Sequence, residues 1–167
     1  MLQLDETFAL VAGQLLPMRI TIETIDSESP RGVGDTPVPG YPVLFRSSVT
    51  HGWAMFVPVD GEVTDLAGQS VSVEINQERI SSFQVFGTSP RRDPLITALA
   101  DRGHYQVQGV VSAIVPFIEP EGEQLVVVAA GDASFTFLRS ETGCRALRTG
   151  EWVTFTAEDV SLWDEGL

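Results

Sequence analysis

The sequence predicts an all-β fold with two short helices. Apolar and polar residues alternate through most of the regular stretches, as in residues 18–26, where Ile20, Ile22 and Ile25 alternate with polar neighbours apart from one slip. Segments rich in glycine and proline interrupt this alternation at short intervals, and only two stretches have helix signals. The favoured architecture is a pair of tandem small β-barrels, and a single β-sandwich is the alternative.

The first predicted module spans residues 1–92 and contains about five strands. A loop rich in proline and glycine, at residues 27–40, follows the first clear strand, and its length suits a lid over a neighbouring site. Two strand pairs are predicted after this loop, at residues 41–60 and 70–86, each joined by a short turn.

Residues 93–103 are predicted to form a helix that links the two modules. Asp93 is suited to cap the first free amides, and Pro94 fits the first turn, where a missing N–H removes no hydrogen bond. Gly103 is suited to end the helix. Three apolar residues would line one face of it: Leu95, Ile96 and Leu99.

The second predicted module spans residues 104–167. A long strand comes first, then two strands joined by the turn signal Gly131–Asp132, then a second short helix with Ser140 as its cap. A last hairpin is predicted around Glu158 and Asp159. A short helix between the third and fourth strands of five is typical of an OB-like barrel, so the module is predicted to be OB-like.

The charge of the chain limits its chemistry and its partners. Twenty-three acidic residues face ten basic ones, giving a net charge of −13, and every basic residue is an arginine. Without lysine the chain can form no Schiff base and no P-loop. Its acidity favours basic protein surfaces over phosphate backbones, so nucleic acid is an unlikely partner on charge alone.

The sequence predicts a cytoplasmic protein without a membrane partner, a cofactor or a metal. The single Cys144 excludes an internal disulfide, no signal segment is recognisable, and no apolar run is long enough for a span. His51 and His104 are widely separated and too few for a zinc site. No nucleophile motif is present, so the chain is predicted not to be an enzyme.

Two acidic segments are the candidate partner-binding residues. The C-terminal segment surrounds Trp163 with carboxylates, which suits docking to a basic protein with the indole as anchor. For this segment taken alone, the favoured interpretation is that its apolar residues complete the core while its acids prevent edge-to-edge aggregation. The predicted function is a non-enzymatic binding or inhibitory protein of the immunity-protein or nucleic-acid-mimic type. The candidate residues are Glu119, Glu121, Glu123, Glu158, Asp159, Trp163, Asp164 and Glu165.

Two other functions remain open. An OB-type oligonucleotide-binding protein would use a small patch of Arg139, Arg145 and Arg148. A small hydrolase would use loop carboxylates, with the 27–40 loop closing over them.

Overall fold

The computed structural model describes residues 17–60, 62–117 and 121–166. Strands account for 54% of the structure and helices for 3%, so the all-β prediction is confirmed. The described part of the chain forms a closed five-strand barrel and a second sheet. The elements are β1 (Met18–Ile25), β2 (Tyr41–Arg46), β3 (His51–Val57), β4 (Ser70–Asn76), β5 (Arg79–Gly87), β6 (Leu95–Ala98), β7 (Tyr105–Pro116), β8 (Gln124–Ala130), β9 (Ala133–Leu138), a 3-10 helix (Arg139–Thr142), β10 (Trp152–Glu158) and β11 (Ser161–Asp164).

The barrel closes in the strand order β1-β2-β3-β11-β4, with β4 returning to β1. The C-terminal strand β11 runs parallel to β3 and antiparallel to β4, whereas the other pairs in the barrel are antiparallel. Because side chains alternate across a strand, every second residue enters the barrel core. The fully buried residues include Ile20, Ile22, Val43, Phe45, Phe56, Val73 and Leu162.

The second sheet has the order β5-β10-β7-β8-β9, with β6 paired to β7. Its core is aromatic: Phe155 on β10 packs edge-to-face on Phe135 and Phe137 of β9, with ring centroids 5.6 and 5.2 Å apart. Phe83 of β5 stacks on Phe155 at 6.2 Å. Most buried side chains of this sheet and of the barrel form one continuous core, and a second small cluster contains Ala113, Leu125 and Val127.

The predicted linking helix at residues 93–103 is wrong. Leu95–Ala98 forms strand β6, which pairs with the start of β7 from Leu95 opposite Gln108 to Ala98 opposite Tyr105. In that conformation only Ile96 is buried, at 4% exposure, whereas Leu95 and Leu99 are 53% and 41% exposed. Long-range pairing with β7 has therefore overridden the local capping signals. The second predicted helix is reduced to the 3-10 turn at Arg139–Thr142.

Two of the predicted hairpins are divided between the barrel and the second sheet. Strands β4 and β5 were expected to form a hairpin, as were β10 and β11, but each pair is divided between the barrel and the second sheet. The boundary predicted at residues 93–103 therefore does not separate the two sheets. The hairpins at β2–β3 and at Gly131–Asp132 are confirmed. In the described part of the chain, no helix has the length and apolar character needed to cross a membrane.

Candidate functional site

An open groove with a volume of about 760 Å³ lies on the outer face of the barrel. We call it the barrel groove. Its floor is the outer face of β2, β3, β11 and β4, and its walls come from the 27–40 loop and from the segments that enter and leave the second sheet. The lining residues are Arg31–Gly34, Pro42, Trp53–Met55, Glu74, Asn76–Glu78, Arg102, Gly103, Asp159–Ser161 and Trp163.

Strand alternation decides which residues form the floor. On β3, Ala54 and Phe56 are buried in the barrel, so Trp53 and Met55 face outward. On β11, Leu162 is fully buried, and its neighbours Ser161 and Trp163 take the outer face. Ser161 is the centre of the floor because it is paired with Met55 on one side and with Asn76 of β4 on the other.

Two half-buried tryptophans mark the two ends of the floor. Trp53 lies two residues before Met55, and Trp163 lies two residues after Ser161, on strands that run in parallel. The two positions are therefore about 13 Å apart along the strands. The guanidinium of Arg102 lies 4.3 Å from the ring centroid of Trp53, which is a cation–π contact. At the other end, the indole Nε1–H of Trp163 donates to Ser161 Oγ at 2.9 Å.

The 27–40 loop forms one wall and is held in place by its own contacts. Arg31 and Gly40 exchange two backbone hydrogen bonds, of 2.9 and 2.8 Å. Val33 folds back over Gly40, where an added Cβ would lie only 2.6 Å from Val33 Cγ2 and 3.3 Å from Met55 Cε. Glycine at position 40 therefore allows the loop to lie against the floor.

Glu74 is the acidic residue of the floor, directly opposite Trp163 in the β11–β4 pair. Desolvation of the Glu74 carboxyl by partial burial raises its pKa, and the Glu165 carboxylate raises the pKa further. A hydrogen bond from Asn76 Nδ2 at 3.5 Å lowers the pKa but does not cancel these two effects. In the described ranges, Glu74 has no arginine or histidine within ion-pairing distance. It is thus a carboxylate without a cationic partner.

The C-terminal candidate residues are brought only partly together. Asp159 and Trp163 line the groove, and Glu165 lies close enough to Glu74 to affect its titration. Asp164 accepts a hydrogen bond from the backbone N–H of Gly166 at 2.9 Å. Glu158 is engaged elsewhere, because it accepts from Ser81 Oγ at 2.8 Å and pairs with Arg79; both contacts lower its pKa.

The described part of the acidic turn, residues 121–123, precedes β8 of the second sheet and is not part of the groove lining. Glu121 is exposed, and Glu119 lies outside the described residues. Glu123 accepts hydrogen bonds from the backbone N–H groups of Ser140 at 3.2 Å and Gln124 at 3.0 Å, and bonding with Ser140 is the main reason that its pKa is lowered. Its carboxylate therefore anchors the start of the 3-10 helix.

One residue of the candidate arginine patch, Arg139, is engaged by the backbone. The Arg139 guanidinium donates to the carbonyl oxygens of Gly122, Cys144 and Arg145 at 2.9, 2.9 and 3.0 Å. Arg145 and Arg148 are exposed beside it. The Arg139 guanidinium, which was expected to bind phosphate, instead binds three carbonyl oxygens in two segments of the backbone.

Sequence reasoning missed Trp53, Glu74 and Arg102 as site residues. The alternation around Ala54 and Phe56 was a usable signal, because it places Trp53 on the face opposite the core. Nothing local indicated that β11 would lie beside β3, or that Arg102 would return to the barrel.

No group of three histidine, cysteine or carboxylate side chains is arranged to hold a metal ion within residues 17–60, 62–117 and 121–166.

Comparisons with protein-family models, curated proteins and solved structures find no match to this chain.

Proposed function

We propose that this protein is a non-enzymatic binding protein that holds an extended segment of a basic partner protein in the barrel groove. The observation that carries the proposal is the groove itself, whose two half-buried tryptophans lie at the ends of a strand-lined floor. Interface energy is concentrated in aromatic anchors of this kind, and tryptophan is among the most enriched. A floor about 13 Å long between anchors suits about four residues of extended chain.

The charge of the groove supports a basic partner. Its lining includes the carboxylates of Glu74, Glu78 and Asp159 against the two guanidiniums of Arg31 and Arg102. One of these, Arg102, already lies over Trp53. With a net charge of −13 on the whole chain, long-range attraction also favours a cationic protein. From the sequence, we further propose that the protein acts as an inhibitor of its partner and that it is cytoplasmic.

A second candidate function is oligonucleotide binding at the same groove. The OB-like comparison suits the barrel strands β1–β4 and β11 better than residues 104–167, because these strands form a closed five-strand barrel. OB-like barrels bind ligands on the face of their second and third strands, which corresponds here to β2 and β3. The Arg102–Trp53 contact favours base stacking, whereas the three carboxylates oppose a phosphate backbone.

Affinity capture tests the proposal. The wild-type protein, a Trp53→Ala/Trp163→Ala variant and a Phe86→Ala control would be immobilised and exposed to native lysate, then washed with rising salt. Phe86 is a suitable control because it is 37% exposed and lies outside the groove lining. We expect one basic protein in stoichiometric amount on the wild type and the control, released at moderate salt, and none on the double variant.

Two results would contradict the proposal. Equal capture by the wild type and the double variant would show that the tryptophans of the groove do not bind the partner. Binding of a labelled deoxythymidine 12-mer that depends on Trp53, with no protein captured, would establish the second candidate instead.

A further inference from the structure

We infer that the Trp163 end of the barrel groove is a subsite for one cationic side chain, an arginine or a lysine, of the bound segment. Glu74 would be its carboxylate partner and the Trp163 indole its aromatic surface. This inference rests on the proposed function and names the chemistry that one end of the groove recognises.

The register of the strands brings these two groups together. Trp163 and Glu74 are direct partners in the antiparallel β11–β4 pair, and both are on the outer face, because Leu162 and Ile75 beside them are buried. Directly opposed residues in such a pair have Cβ atoms about 4.5–5.5 Å apart. A cation above the indole can therefore reach the carboxylate at the same time.

The two ends of the groove differ in whether a cationic side chain of this protein lies against the tryptophan. At the Trp53 end, the chain provides its own guanidinium, Arg102, at 4.3 Å from the ring centroid. At the Trp163 end, no such contact is present among the described residues, and the charged group whose field raises the pKa of Glu74 is another acid, Glu165. The Trp163 end thus lacks the cation that the Trp53 end already has.

Glu74 differs from the carboxylates that have structural partners. Glu23 is paired with Arg46 and His51 at 2.8 and 2.7 Å, and Glu158 is paired with Arg79. The arginine on the neighbouring strand, Arg19, donates to Ser72 Oγ at 3.3 Å and forms no ion pair with Glu74. Within the described residues, the one side-chain partner of Glu74 is Asn76, through a long hydrogen bond. A partner's cation would give it a charge-assisted hydrogen bond that the chain does not supply.

Small-molecule titration followed by NMR tests the subsite directly. The probes are Nα-acetyl-arginine amide and Nα-acetyl-citrulline amide, which have nearly the same shape but differ in charge. We expect arginine amide to shift the indole N–H signal of Trp163 progressively, with little change at Trp53 and little response to citrulline amide. Glu74→Gln should weaken the arginine response about tenfold, since one charge-assisted contact is lost. Glu121→Gln is the matched control and should bind as the wild type does.

Each other outcome overturns the subsite. Equal responses to both probes would mean that charge is not recognised, and an unchanged affinity in Glu74→Gln would exclude that carboxylate. A change confined to the indole N–H signal of Trp53 would show that the cation binds at the Trp53 end of the groove and not beside Trp163. A lack of response at Trp163 would also reject the subsite, but partner capture that depends on the tryptophans would still support the proposed function. The two failures are therefore distinguishable.

Discussion

The barrel groove and the acidic turn around residues 121–123 both contain acids and arginines, but their charged groups are used differently. At the turn, Glu123 accepts backbone N–H groups and Arg139 donates to three carbonyl oxygens, so the charges hold the local chain in place. In the groove, Glu74 has no cationic partner among the residues that the structure describes, and Trp163 is half-buried. Charge density in a sequence therefore does not identify a site.

The aromatic residues show the same division. The second sheet packs Phe83, Phe135, Phe137 and Phe155 against one another, whereas the barrel leaves Trp53 and Trp163 half-buried on its outer face. The first group should determine stability and the second group binding. The following changes test that separation, beginning with the largest expected effect.

Phe155→Ala should produce the largest loss of stability. The side chain is fully buried and touches three other aromatic rings, so its removal leaves a cavity that the sheet cannot readily fill. We expect a decrease of about 3–5 kcal/mol in the free energy of unfolding, measured by urea denaturation. Phe86→Ala, at an exposed aromatic of the same sheet, should cost far less. Similar losses for both variants would show that the phenylalanine cluster is not the core we describe.

Arg139→Ala should have the next largest effect. It removes the donor for three carbonyl oxygens and releases the segments around Gly122 and Cys144. Hydrogen bonds from charged groups contribute about 1.5–3 kcal/mol, and we expect a loss in that range. Arg145→Ala, which removes only an exposed side chain, should stay within about 0.5 kcal/mol of the wild type. If nucleic-acid binding rather than stability responded to Arg139→Ala, the arginine patch would regain its functional interpretation.

Glu158→Gln should lower stability in a pH-dependent way. Hydrogen bonds from Ser81 and Arg79 hold the pKa of Glu158 below its ordinary value of 4.5. The stabilisation is therefore fully present above pH 4.5 and is lost as the pH falls through the lowered pKa. Thermal unfolding from pH 7 to pH 3 should show the variant below the wild type at neutral pH, with the two curves meeting in acid. A difference in melting temperature that stays constant from pH 7 to pH 3 would indicate that the substitution acts through packing and not through the charge of Glu158.

Glu74→Gln should have the smallest effect and the opposite sign. Because the folded state raises the pKa of Glu74 above 4.5, the ionised carboxylate slightly disfavours folding at neutral pH. The neutral amide should therefore raise the melting temperature slightly at pH 7, and this gain should vanish as the pH falls below 4.5. The same melting series as for Glu158→Gln measures it. A loss of stability at pH 7 would mean that Glu74 has a structural partner after all.

Much of the candidate site could not be predicted from the sequence because it depends on strand partners. The C-terminal segment was recognised as an aromatic strand with flanking acids, and Trp163 was named as an anchor. Its position between β3 and β4 was not foreseen, since β11 was expected to pair with β10. Because that position was unknown, neither Glu74, which lies opposite Trp163, nor Trp53, at the other end of the groove, could be assigned to the same site as Trp163.

The sequence by itself determined the all-β class, the acidic charge and the absence of lysine chemistry, because these depend on composition and on local alternation. It also determined the β8–β9 hairpin, since Gly131 and Asp132 favour a two-residue turn wherever they occur between strands. Only the tertiary structure decided that Leu95–Ala98 is a strand and that β11 closes the barrel. The physical reason is that alternation fixes which face of a strand is buried, whereas the choice of partner depends on hydrogen bonds and packing between residues far apart in the chain.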